Sequence, residues 1–318
     1  MTIDENAEHQ RLDNFLLRLC KGVPKSHVFR IIRSGEVRVN RGRAQASQKL
    51  KVGDVVRVPP IRIAVKDTDA SNSAPSGVSL ARAQRLSLNI PIVYEDEDLL
   101  VVNKPSGLAV HGGSGESLGV IECLRLARAD THQSLELVHR IDRETSGLLV
   151  IAKKRSALRK LQEQLRERSW KKFYWTLVLG EWPKALRSVD LPLKKVQTSE
   201  KEQKVFVDPE GDKALSKFII KQRLKDSTSS YTLLEVQILT GRTHQIRVHT
   251  SANSHPIAGD DRYGQFDQNK ILERKGLGRM FLHAARLHLT HPRTGEALEL
   301  QCELSPELNY FLSQLQTV

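Results

Sequence analysis

The stretch LELVHRIDRETSGLLVIAK, residues 135–153, joins two apolar segments by a charged loop. Its ends, LELV and LLVIAK, consist largely of aliphatic residues and predict two strands. The loop between them places Asp142 between the guanidinium groups of Arg140 and Arg143. Fixed positive charge keeps a carboxylate ionised, so Asp142 can act as a nucleophile or stabilise a developing cation. The alternative, a turn carboxylate paired with an arginine, is not excluded by the loop alone.

Further predicted strands determine the fold class. They follow one another too closely for a regular alternation of strand and helix. We therefore predict an α+β fold for a larger domain at 88–318, with a mixed, mainly antiparallel sheet and flanking helices. The predicted strands are 99–104, 135–138, 148–153, 173–180, 217–224 and 231–239, and the predicted helices are 117–128 and 156–167.

Residues 1–60 are expected to fold as a separate small module. Apolar residues at helical spacing predict helices in RLDNFLLRL at 11–19 and HVFRIIRSG at 27–35. The alternating segments EVRVN and DVVRVP then predict a small curled sheet. A polar stretch without periodicity, KDTDASNSAPSG at 66–77, is typical of a flexible linker, which we place at 61–87.

Charge and cysteine content restrict the partners and the compartment. The chain has 50 Lys and Arg against 37 Asp and Glu, a net charge of +13, and residues 1–60 alone have twelve basic and six acidic residues. This balance favours an anionic polymer as partner, with a solvated basic exterior as the alternative. Three scattered cysteines without CxxC spacing indicate a reducing compartment and no metal framework. The polar N-terminus and the lack of a long apolar run predict a cytoplasmic protein without a membrane span.

The motif KKFYWTLVLG, residues 171–180, brings a candidate aromatic residue. On a strand, Tyr174 shares a face with Thr176 and Val178. Its ring could be an ordinary buried aromatic, or it could stack on a base that has left its helix.

The motif TGRTHQIRVHTSANSHPIAGDDRYG, residues 240–264, brings a candidate cation. Thr243 is predicted to cap a helix that places Arg247 one turn later, able to pair with a carboxylate such as Asp142. The two histidines of RTHQIRVH are five residues apart, a spacing unsuited to paired zinc ligands on one helix or strand face. We therefore expect no metal there.

Five motifs in this order resemble the pseudouridine synthases that modify large-subunit ribosomal RNA. They are KPSGLAVHGG at 104–113, HRIDRETSG at 139–147, KKFYWTLVLG at 171–180, TGRTHQIRVH at 240–249 and FLHAARLHLTHP at 281–292. In front of them, VPKSHVFRIIRSGEVRVNRGR resembles the S4 RNA-binding domain. The resemblance covers nearly the whole chain and implies an S4-type module followed by a catalytic domain with the pseudouridine synthase fold. One departure is Ile141, where the family more often has leucine.

The resemblance also implies roles for individual residues. Asp142 matches the catalytic aspartate, Tyr174 the tyrosine that stacks on the target base, and Arg247 the arginine that pairs with the aspartate. Arg140 matches the arginine that helps to displace the uridine, and Leu282 lies in the motif beneath the base. Contacts with RNA are implied for a basic group of the S4-like module, Lys25, Arg30, Arg33, Arg41 and Arg43.

The implied reaction is the isomerisation of uridines in 23S ribosomal RNA. The enzyme would flip a uridine out, break the N1–C1′ bond, turn the uracil and join C5 to C1′, with neither metal nor organic cofactor. We expect a monomer by default. Two alternatives remain open: a glycoside or N-glycosyl hydrolase, which usually has two carboxylates, and a non-catalytic RNA-binding or ribosome-assembly factor.

Overall fold

The computed structural model describes residues 1–4, 7–20, 23–60, 82, 85–112, 118–129, 134–198 and 203–318. The helices within these residues are α1 Leu12–Leu19, α2 Lys25–Arg33, α3 Val120–Ala127, α4 Arg155–Arg166, α5 Gln245–Ala252, α6 Phe266–Arg274 and α7 Pro306–Ser313. The strands are β1 Arg38–Val39, β2 Gly42–Arg43, β3 Val56–Arg57, β4 Ile92–Glu95, β5 Leu99–Lys104, β6 Glu136–Leu137, β7 Ser146–Ala152, β8 Lys171–Leu179, β9 Ser188–Asp190, β10 Leu193–Gln197, β11 Gln203–Val207, β12 Leu215–Lys225, β13 Ser230–Ile238, β14 Leu282–Thr290, β15 Ala297–Gln301 and β16 Gln316–Thr317. No helix in the described part of the chain combines the length and the apolar character that crossing a bilayer requires.

The N-terminal residues form two helices beside a small sheet, as the sequence predicts. α1 and α2 share an apolar core that includes Leu12, Leu16 and Ile31. The sheet has the order β2-β1-β3, and both pairings are antiparallel. The turn from β1 to β2 has φ angles of 50° at Asn40 and 67° at Arg41. Two consecutive positive φ angles are typical of the tight turn that suits a twisted hairpin.

The expected linker, residues 61–87, lies mostly outside the described residues. Its described end differs from the prediction, because residues 85–88 are helical. Leu86 packs there against Leu118 and Cys123. Burial of an apolar side chain therefore decides the local structure at this end of the segment.

One mixed sheet dominates the larger domain. Its central path has the order β16-β12-β13-β8-β14-β7-β5-β4, with β15 on β14, β6 on β7 and β9 on β12. Every pairing in this sheet is antiparallel except that of β7 with β14. The α+β class and the mixed, mainly antiparallel sheet are thus confirmed, and the six predicted strands match observed strands to within two residues at each end.

A short parallel seam between β7 and β14 joins the two halves of this sheet. Ser146 lies opposite His283, and Gly147 lies opposite Ala284. Gly147 has a φ of 109°, and a Cβ atom there would lie 2.3 Å from the backbone oxygen of Ala284. Only glycine permits this close approach. Because the Asp142 loop ends at the seam, the approach fixes where that loop leaves the sheet.

Helices cover both faces of β5 and β7. One face packs against α4 through an apolar cluster that includes Leu99, Val101, Val150, Ala157 and Leu161. The other face packs against α3 through a cluster that includes Leu100, Val102, Leu149, Val120 and Leu124. Strands buried on both faces are rigid, so the loops at their ends have a fixed base.

Candidate active site

A buried lysine holds the loop that carries Asp142. Lys104, the last residue of β5, is fully buried, and its Nζ atom donates three hydrogen bonds of 2.8 Å to backbone oxygens. The acceptors are those of Pro105, Leu108 and Arg143. Ser106 adds a hydrogen bond of 2.7 Å from its Oγ atom to the backbone oxygen of Glu144. The two loops are therefore bound together as one unit.

Sequence reasoning missed Lys104, although it begins the KPSGLAVHGG motif. Its contact with Arg143 spans 39 residues, and no local pattern shows such a contact. Burial, with the positive charge of Arg279, lowers the pKa of Lys104 to about 7 despite the attraction of Glu144 and Asp142. The lysine is therefore a buried donor that is close to losing its charge at neutral pH.

Five predicted site residues meet in one cavity of about 350 Å³, here called the target pocket. Its lining includes Arg140, Asp142, Tyr174, Arg247 and Leu282. Leu282 lies opposite Thr176 in the sheet, two residues along β8 from Tyr174. Further apolar lining comes from Val138, Ile141, Leu165, Ile238 and Ile246. An apolar pocket of this size with a few charged groups can enclose a flat ring and orient it.

The ring of Tyr174 is fixed in this pocket. Tyr174 is 8% exposed, and its hydroxyl forms no hydrogen bond with the described residues. Burial raises the pKa of the phenol well above its usual value, and the negative charge of Asp142 raises it further. The hydroxyl therefore keeps its proton at neutral pH and can act as a donor.

Arg247 contacts Asp142, but its main partner is a different carboxylate. Its Nη1 atom lies 3.8 Å from Oδ2 of Asp142. Its Nε and Nη2 atoms each donate a hydrogen bond of 2.7 Å to the two carboxylate oxygens of Asp260. Burial alone would lower the pKa of Arg247. The hydrogen bonds and the negative charge of Asp260, together with the negative charge of Asp142, outweigh this effect and raise the pKa of Arg247. The structure thus contains the predicted contact between Arg247 and Asp142. The buried partner Asp260 was not predicted from the sequence.

Helix α5, which carries Arg247, starts differently from the prediction. The N-cap residue is His244, with a φ of 53°, and not Thr243. None of the described side chains caps α5, and the Oε1 atom of Gln245 accepts hydrogen bonds within the preceding turn, from the backbone nitrogen of Arg242 and from Oγ1 of Thr240. The prediction of a Thr243 cap was therefore wrong by one residue.

His244, which the sequence analysis considered only as an unsuitable zinc ligand, is a further residue of the site. Its Nε2 atom lies 4.0 Å from Oδ2 of Asp142, and its Nδ1 atom forms a hydrogen bond of 2.8 Å with the hydroxyl of Tyr263. Burial, with the positive charges of Arg247 and Arg262, lowers the pKa of His244 to about 4 despite the attraction of Asp142. The ring is therefore neutral at physiological pH.

Asp142 stands between two cavities. A second cavity of about 400 Å³, here called the polar cleft, shares Arg140, Asp142, His244 and Arg247 with the target pocket. Its further lining includes His111, Arg143 and Arg262. The carboxylate thus has a largely apolar pocket on one side and, on the other, a polar cleft whose four arginines are accompanied by the carboxylates of Glu144 and Asp261.

The basic residues of the N-terminal module lie apart from this site. Lys25, Arg30, Arg33, Arg41 and Arg43 are all exposed, and none of them lines the target pocket or the polar cleft. Arg30 lies 3.3 Å from Glu36, and Arg43 donates to the backbone oxygen of Arg33. They form a separate basic surface on α2 and the hairpin that follows it.

One cluster of metal-ligand types occurs among the described residues, away from Asp142. It consists of Asp96, Asp98 and His291, with ligand atoms within 4.8 Å of one another. Nε2 of His291 lies 2.7 Å from Asp96, and Nε of Arg293 lies 2.6 Å from Asp98. Because nearby cationic or protonatable groups already contact both carboxylates, we assign no ligand to this cluster.

Comparison with known proteins agrees with this architecture. The sequence profile of the RNA pseudouridylate synthases matches residues 98–252, and that of the S4 domain matches residues 10–56. The ribosomal large subunit pseudouridine synthase C of Pasteurella multocida is 48% identical over 316 residues, which cover 99% of this chain and 93% of that protein. The Escherichia coli protein of the same name is 48% identical over 318 residues, 99% of this chain and 95% of its own length.

The chain belongs to the RNA pseudouridylate synthase family. Two solved structures are similar to this pseudouridylate synthase in fold and sequence. Human RNA Pseudouridylate Synthase Domain Containing 1 has a TM-score of 0.59 and 26% identity, covering 72% of this chain and 89% of its own. Human RNA Pseudouridylate Synthase Domain Containing 4 has a TM-score of 0.58 and 28% identity, covering 74% and 97%. As a pseudouridylate synthase, the protein is an RNA-modifying isomerase with an S4 domain at its N-terminus.

Proposed function

We propose that this pseudouridylate synthase converts uridines of 23S ribosomal RNA to pseudouridine, acting as a monomer in the cytoplasm, where ribosomal RNA is found. The names of the similar bacterial enzymes specify the ribosomal large subunit. The S4 domain and the net charge of +13 support a large structured RNA as substrate. In this proposal residues 1–60 bind RNA, 61–87 connect, and 88–318 catalyse.

Asp142 is proposed as the catalytic carboxylate. The observation that carries this role is its position between the target pocket and the polar cleft. A flipped nucleotide with its uracil in the pocket and one of its two flanking phosphates in the cleft would place its ribose beside this side chain. During cleavage of the N1–C1′ bond the sugar carbon becomes electron-poor, and a carboxylate there lowers the barrier, whether it bonds to C1′ or removes a proton.

The surrounding residues are proposed to orient the reacting groups. Arg247 faces the Asp142 carboxylate at 3.8 Å and holds it in place. Tyr174 and Leu282 enclose the uracil, so that the free base turns within the pocket and presents C5 to C1′. Arg140 is exposed and lines both cavities, a position from which it can occupy the space that the flipped uridine leaves in the RNA helix. No atom is gained or lost in the overall reaction.

The RNA-contacting group of the S4 domain is proposed to hold the substrate during this step. Flipping a base costs a few kcal/mol of lost stacking and pairing, and phosphate contacts offset that cost. Lys25, Arg30, Arg33, Arg41 and Arg43 provide such contacts without reading the sequence.

The test is the replacement Asp142→Asn, measured by tritium release from 23S ribosomal RNA transcripts labelled at C5 of uridine. We expect turnover below about one thousandth of the wild-type rate, with RNA affinity within about threefold, because the neutral amide keeps the shape but neither attacks nor stabilises a cation. Glu136→Gln is the matched control, since Glu136 is half-buried on β6, pairs with Arg125 and precedes Asp142 by six residues.

Three results would contradict the proposal. They are wild-type tritium release by the Asn variant, release of free uracil by the wild-type enzyme, and unchanged 23S RNA in cells that lack the protein. Mapping of pseudouridines in ribosomal RNA from cells with and without the protein identifies the modified positions.

A further inference from the structure

The target pocket has neighbouring cavities that the reaction described above does not use. A narrow space of about 160 Å³ shares Leu165, Lys172, Gly241 and Arg242 with the target pocket. This space in turn shares Arg168, Trp170, Leu239 and Thr240 with a wider cavity of about 430 Å³, here called the flanking pocket. The three spaces are neighbours, because each adjacent pair shares lining residues.

The flanking pocket has an apolar floor and a charged rim. Ala214, Leu215, Ile238 and Leu239 provide the apolar floor. Exposed Arg168, Lys171 and Lys213 lie on the rim, together with one carboxylate, Asp190. This combination fits a nucleotide, because a base is flat and apolar on its faces, a phosphate is an anion, and a carboxylate can accept hydrogen bonds from a base edge. The volume lies within the range of small-ligand pockets.

Two cations mark the narrow space between the pockets. Lys172 lies two residues before Tyr174 on β8, and burial lowers its pKa. It forms no ion pair with any residue that the structure describes. Arg242 on the other side lies 3.2 Å from Asp212. A half-buried lysine without a carboxylate partner is stabilised when an anion binds, and the phosphate between two adjacent nucleotides is such an anion.

Arg168 provides an independent observation. It follows α4 with a φ of 58°, and the backbone nitrogens of Arg168 and Ser169 donate to the oxygens of Leu165 and Gln164. This is the helix ending in which glycine is strongly preferred, because a side chain is strained at positive φ. An arginine at this position costs stability to the fold, and its side chain lies at the boundary of the narrow space and the flanking pocket. Such a residue points to a function for the side chain.

We infer that the flanking pocket binds an unpaired nucleotide adjacent to the target uridine, with the linking phosphate held between Lys172 and Arg242. The inference rests on the proposed function, since it requires an RNA substrate in the target pocket. It adds a specificity-determining subsite: only RNA whose neighbouring nucleotide is unpaired, or can be unpaired, fills both pockets.

The first test reverses the charge of one rim residue, Lys213, with Lys225 as the matched control. Lys213 precedes β12 by two residues, and Lys225 is its exposed last residue, outside every cavity named here. Single-turnover tritium release from 23S transcripts is measured over a series of enzyme concentrations. We expect Lys213→Glu to raise the half-saturating enzyme concentration roughly tenfold, whereas Lys225→Glu should change that concentration by less than about twofold. Lys213→Glu should also reduce the slope of log affinity against log salt concentration by about one, because about one fewer counterion is released.

The second test separates RNA binding from stability. Arg168→Gly removes the strain of a side chain at positive φ, so the melting temperature should stay the same or rise. The enzyme concentration that half-saturates the reaction should nevertheless rise by about threefold to tenfold, because one contact with the RNA is lost. A residue with a purely structural role would not show opposite changes in stability and binding.

The outcomes distinguish the inference from the proposed function. If the wild-type enzyme makes no pseudouridine in 23S RNA, the proposed function fails. If it is active but Lys213→Glu behaves like Lys225→Glu, and Arg168→Gly binds RNA like the wild type, only the flanking pocket is refuted. An effect of Lys213→Glu on the maximal rate alone would also refute it, because a binding subsite acts through affinity.

Discussion

Arg247 and Asp260 form a bidentate ion pair in which both hydrogen bonds measure 2.7 Å and the side chains are 5% and 0% exposed. Asp260 also accepts hydrogen bonds from the backbone nitrogens of Arg262 and Tyr263. The guanidinium is therefore fixed by Asp260 and presents its Nη1 edge to Asp142. Asp260 orients the arginine that in turn orients the proposed catalytic carboxylate.

Asp260→Asn should weaken both the fold and the reaction. The neutral amide leaves the buried charge of Arg247 poorly compensated, so we expect a loss of about 3 kcal/mol in the free energy of unfolding. We also expect at least a tenfold fall in the single-turnover rate at saturating RNA, because Arg247 would turn toward Asp142. Asp261→Asn is the matched control. Asp261 lies 3.7 Å from the same guanidinium but is 85% exposed, so its removal should cost less than about 0.5 kcal/mol. Equal effects of the two changes would contradict the orienting role.

Lys104 should make the stability of the protein depend on pH. Its pKa is about 7 in the folded protein, against an ordinary value of 10.5. Between these values the unfolded chain holds a proton at this lysine that the folded chain has lost, so the free energy of unfolding rises with pH. The slope from this one group is at most about 1.4 kcal/mol per pH unit.

The measurement is urea denaturation of the wild type and Lys104→Met from pH 7 to pH 10. The variant lacks the titrating group and leaves three backbone oxygens without their donor, a loss of about 1–3 kcal/mol for a buried polar group. We expect the stability difference in favour of the wild type to widen as pH rises. Lys225→Met, at an exposed lysine, should show no such widening. Parallel curves for wild type and Lys104→Met would show that the lysine keeps its proton.

Gly147→Ala should disrupt the seam between β7 and β14. The added Cβ would lie 2.3 Å from a backbone oxygen, and the φ of 109° is unfavourable for alanine. We expect a loss of at least about 3 kcal/mol in the free energy of unfolding. Gly295→Ala is the matched control, since it has a φ of 78° but nothing within 4 Å of the new atom. It should cost about 1 kcal/mol from backbone strain alone.

The S4 domain should contribute electrostatic affinity without specificity. Arg41 is exposed in the β1–β2 turn at a φ of 67°, so Arg41→Gly should not destabilise the domain. It should reduce the slope of log affinity against log salt concentration by about one. It should also weaken the binding of unrelated structured RNA by the same factor as the binding of 23S RNA. Arg18→Gln, at the exposed end of α1 outside the basic group, should leave the slope within experimental error. A change that affects only 23S RNA would contradict the proposed role of Arg41.

Strands with a clear apolar pattern were predictable from the sequence. LLVVNK coincides with β5 from Leu99 to Lys104, because both of its faces are buried and its ends are marked by charge. β14 was not predicted as a strand, although its motif was noted. Leu282, His283, Ala284 and Ala285 are all buried, so this strand does not show the alternation of apolar and polar residues that marks a half-buried strand. The small and polar residues also interrupt the continuous apolar run that marks a strand buried on both faces.

The site was predictable where the chain marks it locally, and not where distant residues meet. Asp142 and Arg247 stand in motifs with clear chemistry, and the structure brings them within 3.8 Å. Asp260 and Lys104 act through partners 13 and 39 residues away, and no spacing rule connects them. The predicted Thr243 cap was wrong because His244, with a φ of 53°, stands at the N-cap of α5.

The parallel seam has a consequence for assembly. Asp142 belongs to the half of the sheet that contains β5 and β7, whereas Tyr174, Arg247 and Leu282 belong to the other half. Within the sheet only two residue pairs join β7 to β14, so the hydrogen-bonded seam is a short line, although Leu287 and Leu289 of β14 also pack in the apolar cluster of β5 and β7. A nucleotide bound across that line would contact both halves of the sheet and would bind only when the seam between them is intact. Binding would therefore stabilise the association of the two halves. Bound RNA should therefore protect the amides of β7 and β14 from hydrogen exchange more than those at the sheet edges.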